Sequence, residues 1–247
     1  MEKHEYYDLH THFLPGMDLG CKNTDEAVQM VKMMVDQGCM GAVLTPHYYC
    51  NETIESYLNR RSEAFLQLSN ALKGTEYEGF LRTVVLGTEV AYHKSLIFEG
   101  NLNDLCMGRS DYILLELPFA KWKSDILENV QRLMQVRKVK LIIAHLERYF
   151  EYGNKKLITE LLKMNVLIQM NTEHLLKFGA FRHALDMIQN KRVDILCTDC
   201  HGTFFYPPNM EQALAKMERS GLQDDIQRML ENNYEVYSEC TRVQSRV

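Results

Sequence analysis

Two histidines one residue apart, His10 and His12, are followed by a turn that holds Asp18 in the stretch DLHTHFLPGMDLG. On a strand, alternate side chains share a face, so both imidazoles can address one ion. Alone, such a pair is weak evidence, because histidine is often accommodated inside ordinary folds. Further groups of the same chemical kind come later: His47, Glu89, Glu116, His145, Asp199 and His201. Imidazole and carboxylate without thiolate suit manganese, iron or catalytic zinc rather than a closed structural zinc site. So many ligands exceed the needs of one ion, whereas two or three ions, bridged by a carboxylate such as Glu89, would use them. Paired ions about 3.5–4 Å apart can lower the pKa of a bridging water and stabilise charge on a phosphoryl group during in-line attack.

These residues are scattered over almost the whole chain, so a fold must gather them. Short apolar runs alternate with longer helix-patterned segments. The runs are YYDLH, GAVLTPH, LRTVVLGTE, DYILLEL, VKLIIAH, NVLIQMN and VDILCTD; the helical patterns cover 23–37, 51–73, 124–137, 154–164 and 180–190, then 208–219 and 222–231. Gly38 fits a helix C-cap. Such alternation predicts an α/β fold of parallel strands joined by crossover helices, and seven runs suit a distorted (βα)7 TIM-like barrel, with the last two helices covering the remaining gap. The runs end in His10 and His12, His47, Glu89, Glu116, His145, Asn171 and Asp199 with His201. In a parallel barrel all carboxyl ends open on one face, so the set would converge on a single bowl. Any one of these residues alone is more simply read as a polar loop residue. Three carboxylates crowded together without cations would repel one another, which favours metal.

Composition excludes several classes. With 46% hydrophobic and 25% charged residues, the chain reads as one soluble globular domain over 1–247. A net charge of −5 offers no cationic field for nucleic acid. No signal-like or membrane-spanning stretch is present, which predicts a cytoplasmic protein without membrane insertion. The seven scattered cysteines predict free thiols. Cys197 and Cys200 flank Asp199, but buried inert thiols are the simpler reading. Arg148, three residues past His145, is placed to clamp phosphate oxygens, against the plain alternative of a surface ion pair with Glu147 or Glu151. The two tyrosines of NNYEVYSEC read as part of a packed end segment rather than a phosphoacceptor tail. Oligomer formation is left open.

The segments DLHTH, TPH, GTE, LLEL, AHLERY and TDCH, in this order and spacing, resemble the polymerase and histidinol phosphatase (PHP) superfamily. They are most similar to its CpsB/YwqE-like branch of bacterial tyrosine-protein phosphatases from capsule and exopolysaccharide loci, over about residues 6–235. The resemblance implies a PHP-type barrel with a trinuclear, often manganese-dependent centre at the carboxyl ends of the strands. It also implies hydrolysis of phosphomonoesters, notably phosphotyrosine on a cognate bacterial tyrosine kinase. The implied ligands are His10, His12, Asp18, His47, Glu89, Glu116, His145, Asp199 and His201, with Glu89 bridging and Arg148 catalytic as the phosphate clamp. The expected reaction is attack by a metal-bridging hydroxide, with His47, His201, Asp199 or a metal-bound water as proton donor.

Three positions depart from the family pattern: Leu19 replaces a second acid beside Asp18, Leu146 replaces a proline, and Tyr206 stands where an arginine is common. Tyr206 is therefore a candidate substrate-binding residue, and Phe204 and Phe205 either shape the pocket or simply pack. Two other functions share the same residues: hydrolysis of a small phosphomonoester such as histidinol phosphate or a sugar phosphate, and catalytically weak metal binding within a polysaccharide assembly complex.

Overall fold

The computed structural model describes residues 3–17 and 19–242. Among these the elements run β1 (Tyr6–Thr11), α1 (Thr24–Asp36), β2 (Cys39–Leu44), β3 (His47–Tyr48), α2 (Ile54–Leu72), β4 (Val84–Leu86), β5 (Glu89–Ala91), β6 (Tyr112–Glu116), α3 (Asp125–Arg137), β7 (Lys140–Ile143), α4 (Lys155–Leu161), β8 (Leu167–Asn171), α5 (Thr172–Leu176), α6 (Phe181–Gln189), β9 (Ile195–Cys197), α7 (Met210–Glu218) and α8 (Gln223–Thr241). All the paired strands are parallel, in the orders β1-β2-β4 and β3-β5-β6-β7-β8-β9.

Seven apolar runs thus become nine strands, because two runs are broken. Thr45 and Pro46 separate β2 from β3, and proline has no N–H for a ladder. Gly87 and Thr88 separate β4 from β5, and a Cβ on Gly87 would stand 2.7 Å from Val43 Cγ1. The breaks lie side by side, since β2 pairs with β4 and β3 with β5, so the two neighbours change sheet together. Buried Arg61 satisfies the interruption, donating to Gly87 O at 2.7 Å and Thr88 Oγ1 at 2.9 Å.

Helix boundaries follow local chemistry. Asn23 and Thr53 cap α1 and α2 by accepting from Glu26 N and Ser56 N. Gly38 follows α1 with φ +94, the left-handed conformation that releases the chain into β2. The largest departure from the sequence expectation is α8, which continues ten residues past 231 and takes in NNYEVYSEC. Its buried face there is Asn233, Val236, Tyr237 and Cys240, a helical spacing partly disguised by the polar Asn233.

Strand alternation divides the core. Ile113, Leu115, Leu141 and Ile143 face the helices in the main cluster. Leu114 and Ile142 face the other way, into a smaller cluster with Leu9, Val43, Ile195 and the α8 residues Val236, Tyr237 and Cys240. At this end Asn233 donates to Tyr7 O at 2.8 Å and Leu196 O at 2.7 Å, tying β1 to β9. Toward the opposite end the same strands meet directly, through Asp199 N to His10 O at 3.0 Å and His12 N to Cys200 O at 2.8 Å.

Candidate metal centre

The carboxyl-terminal ends of the strands carry the polar residues that the sequence singled out. His10 lies near the end of β1 and His12 just beyond it; Glu116 ends β6; His145 and Asp199 each stand two residues past a strand. His47 and Glu89 differ from expectation in detail. They begin β3 and β5, just after the breaks, and face each other in register across that pair. A register irregularity between Asp8 and Thr11 accompanies the change from the apolar Leu9 to the histidines.

Eight of the nine expected ligands converge; Asp18 lies outside the described residues. Glu89 Oε2 is 3.0 Å from His10 Nε2, 3.1 Å from His12 Nε2 and 3.0 Å from His47 Nε2. Its Oε1 is 3.0 Å from His145 Nε2, which is also 3.5 Å from Glu116 Oε1. Asp199 Oδ1 stands 3.2 Å from both His10 Nε2 and His12 Nε2. His201 stacks on His12 with ring centroids 4.1 Å apart.

These contacts have the form of ligand shells. Atoms about 2.1 Å from a common ion lie about 3.0–3.4 Å from one another, the spacing found here. The Nε2 atoms of His10 and His12 approach to 2.9 Å, a separation that a shared cation explains better than two facing lone pairs. Three overlapping groups can hold ions: His10, His12, Glu89 and Asp199; His12, His47 and His201; and His47, Glu89 and Glu116. Asp199 Oδ1 and His145 Nδ1 are buried without a hydrogen-bond partner. The residues therefore fit divalent cations.

Electrostatics agree. Burial opposes ionisation of Glu89 and Asp199, yet the imidazoles around them, His10 foremost, hold both carboxyls below their ordinary values. Burial likewise opposes protonation of His145, but Glu116 and Glu89 push it up to about 10. A dense carboxylate group is drawing positive charge from whatever can supply it.

Sequence reasoning did not single out Gln169. It is fully buried and accepts from His145 N at 2.8 Å and from His10 Nδ1 at 3.1 Å. Its amide donates to Asn171 Oδ1 at 2.8 Å, and Asn171 Nδ2 donates to Asp199 Oδ2 at 2.7 Å. With Nδ1 of His10 donating, Nε2 keeps its lone pair for a metal. The signal was the pair of amides two apart in NVLIQMN, on the same face as the histidines. Glu147 is also buried, with Oε1 accepting from Asn171 N at 3.1 Å; desolvation pushes its carboxyl up to about 7 despite His145 and Arg148.

The ligand bowl opens into a pocket of about 590 Å³ that also takes in Arg148 and an apolar wall. Arg148 Nη1 is 3.8 Å from Asp199 Oδ2, and its guanidinium lies over the Phe119 ring, 4.7 Å from the centroid. Tyr206 reaches the same pocket in a left-handed backbone conformation, φ 51, its carbonyl accepting from His201 N at 2.9 Å. His145 and Asp199 are left-handed too, at φ 33 and φ 52, conformations that the surrounding bonds must hold. Phe204 and Phe205 line the pocket but are largely exposed, as is Leu19. Leu146 is fully buried under the turn after His145. Cys197 and Cys200 are buried, and desolvation drives both thiols well above the ordinary range, which removes them as nucleophiles.

Among the described residues no helix is long and apolar enough to cross a membrane. Comparison with known proteins gives a consistent answer. The chain is 24% identical over 216 residues to the tyrosine-protein phosphatase CpsB of Streptococcus pneumoniae, covering 83% of this chain and 87% of that one. It is 25% identical over 239 residues to the tyrosine-protein phosphatase YwqE of Bacillus subtilis, covering 93% and 90%. A crystal structure from work on YwqE and CpsB, described as unique metal-dependent tyrosine phosphatases, superposes with a TM-score of 0.79 at 22% identity and 96% coverage of both chains. A phosphotriesterase homology protein from Escherichia coli, solved with phosphate in its active site, gives 0.58 at 12% identity, covering 96% of this chain and all of that one. The family model for capsular polysaccharide synthesis, CpsB/CapC, matches residues 6–237, and the chain belongs to that family.

Proposed function

We propose that this chain is a metal-dependent phosphomonoester hydrolase, a protein-tyrosine phosphatase acting on a tyrosine kinase of capsule or exopolysaccharide synthesis. The proposal includes a single PHP-type domain whose parallel strands close as a distorted seven-stranded barrel, supported by the β1 to β9 hydrogen bonds. The observation that carries the function is the position of Arg148 on the wall of the same pocket as three overlapping ligand groups.

Two or three divalent ions, manganese first with iron or zinc as alternatives, would supply positive charge for the phosphoryl oxygens and would acidify water for in-line attack. His10, His12, His47, Glu89, Glu116, His145, Asp199 and His201 would hold them, with Glu89 shared between groups and Asp18 completing the family set. Arg148 takes the remaining phosphate oxygens through its planar fork, held in place by Phe119 and Asp199. The aromatic wall, with Tyr206 in place of a second cation, suits a phosphorylated phenol more than a small polyol phosphate.

The test is turnover of a phosphotyrosine peptide after manganese loading, alongside metal analysis of the same sample and parallel assays with histidinol phosphate and sugar phosphates. Manganese-dependent hydrolysis of the peptide, strongly reduced in Arg148→Ala, supports the proposal. Preference for a small phosphomonoester changes the substrate. Two or more bound metals without any turnover reduces the protein to a metal-binding partner.

A further inference from the structure

The mouth of the metal bowl gathers apolar side chains that water would be expected to cover. Among the described residues thirteen large hydrophobic side chains are exposed, and six of them line this one pocket: Leu19, Tyr49, Phe119, Phe204, Phe205 and Tyr206. Exposed apolar residues scattered singly are ordinary, but a group of them around one concavity marks a contact surface. Leu19, Phe204 and Phe205 stand out furthest, at 88%, 82% and 76% exposure, so packing under a loop does not account for them.

These three sit on two loops mounted beside the ligands. Phe204 and Phe205 meet edge to face, with ring centroids 5.1 Å apart, on a turn closed by His201 N donating to Tyr206 O at 2.9 Å. The turn therefore begins at one of the imidazoles of the bowl. It also lies against α1, where a Cβ on Gly202 would stand 3.0 Å from Glu26 Oε1. The other oxygen of Glu26 accepts from Lys22 N at 3.0 Å, in the loop that carries Leu19. Glu26 thus touches both loops and keeps the aromatic pair and Leu19 at the same mouth.

A tyrosine whose phosphoryl group reaches the ligands and Arg148 leaves its own backbone at this mouth. Each neighbouring residue lies at most about 3.3–3.6 Å further along the chain, so the nearest ones must pass over the rim. We propose that Leu19, Phe204 and Phe205 form a seat for an apolar side chain, aliphatic or aromatic, within two residues of the phosphotyrosine in the substrate polypeptide, a seat that rests on the phosphotyrosine reading of the bowl. Removing both apolar surfaces from water favours the contact, whereas a small polar side chain gains little there.

The test measures kcat/KM of the manganese-loaded protein on phosphotyrosine peptides carrying leucine or serine at each of the two positions before and after the phosphotyrosine, with a small aryl phosphate as reference. At one or more positions the leucine peptide has a kcat/KM about tenfold higher than its serine counterpart, carried by KM because the contact is the same in the ground and transition states. The double substitution Phe204→Ser with Phe205→Ser brings that ratio close to one, and Leu19→Ser, on the other loop, reduces it severalfold. Circular dichroism and bound metal verify that each variant is folded. Peptides hydrolysed with equal kcat/KM at all four positions overturn the seat while leaving the phosphatase intact, as does a preference that survives both variants. Sedimentation velocity and flotation with phospholipid vesicles then decide whether the rim meets a second copy of the chain or a membrane. If no phosphotyrosine peptide is hydrolysed, with or without turnover of the aryl phosphate, the phosphotyrosine reading fails and the seat falls with it.

Discussion

The two ends of the strand array are built from the same strands but solve opposite problems. At the amino-terminal end Leu9, Val43, Leu114, Ile142 and Ile195 close over Val236, Tyr237 and Cys240 of α8. There Asn233 serves both β1 and β9. At the carboxyl-terminal end, three carboxylates and five imidazoles crowd together with orphaned atoms at Asp199 and His145. The first end lowers the energy of the fold by satisfying itself. The second is left unsatisfied and is completed by what it binds.

That contrast can be broken by mutation. The largest effect is expected at the bowl: His10→Ala should lower metal-dependent phosphatase activity about a thousandfold, reflecting several kcal/mol of lost charge stabilisation, and reduce bound metal. The far end should be untouched, with circular dichroism and the cooperativity of unfolding retained. A misfolded variant would show that the two ends are not separable.

Asp8 lies between the two regions, accepting from Thr198 Oγ1 at 2.6 Å. Burial pushes its carboxyl up to about 6 in spite of that bond. An acid whose pKa is higher folded than unfolded holds extra protons in the native state, so it favours folding below its unfolded value near 4. This advantage is lost as pH rises through 6. The shift corresponds to a change on the order of 3 kcal/mol. Urea unfolding of chelator-treated protein should show stability declining between pH 4 and 6.5. Asp8→Asn should flatten that decline, and an unchanged slope would remove Asp8 as its source.

Gln169→Leu sharpens the comparison, since it keeps the volume but removes the acceptor for His10 Nδ1 and His145 N. Metal affinity should fall about 10- to 100-fold, as is usual for loss of a group that orients a ligand, measured by competition with a chelator. At the other end, Asn233→Ala should lower stability by about 1–3 kcal/mol by leaving Tyr7 O and the Leu196 peptide unpaired, read as a shift in the urea midpoint. Bound metal and turnover per folded molecule should remain as before. A matching loss of metal would mean that the floor sets the geometry of the bowl.

Much of this was legible in the sequence. Strand and helix alternation depends on local periodicity, and the ligand residues could be recognised because each follows an apolar run. Their side-chain type, two histidines on one face or a carboxylate after a strand, is a local property. What local pattern could not reveal was any role defined by a distant partner. Asn233 looked like one more residue of a packed end segment, and it joins two strands far from it in the chain. Gln169 looked like one polar residue in a strand, and it sets the tautomer of a histidine 159 positions away. The breaks at Pro46 and Gly87 became meaningful only when β2 and β4 were seen side by side.

The sequence by itself determined which chemistry is available: imidazoles and carboxylates for cations, an arginine for phosphate, and parallel strands able to bring them to one end. Residue type and spacing are enough for that, because they set charge, donor capacity and the face on which a side chain emerges. Only the tertiary structure decided that Glu89 stands at the centre of four histidines. It alone buried Glu147 beside the bowl, with one oxygen accepting from Asn171 N across 24 positions of chain. Those features depend on distances between segments that meet only in the folded chain, where burial removes water and makes each missing or added partner count.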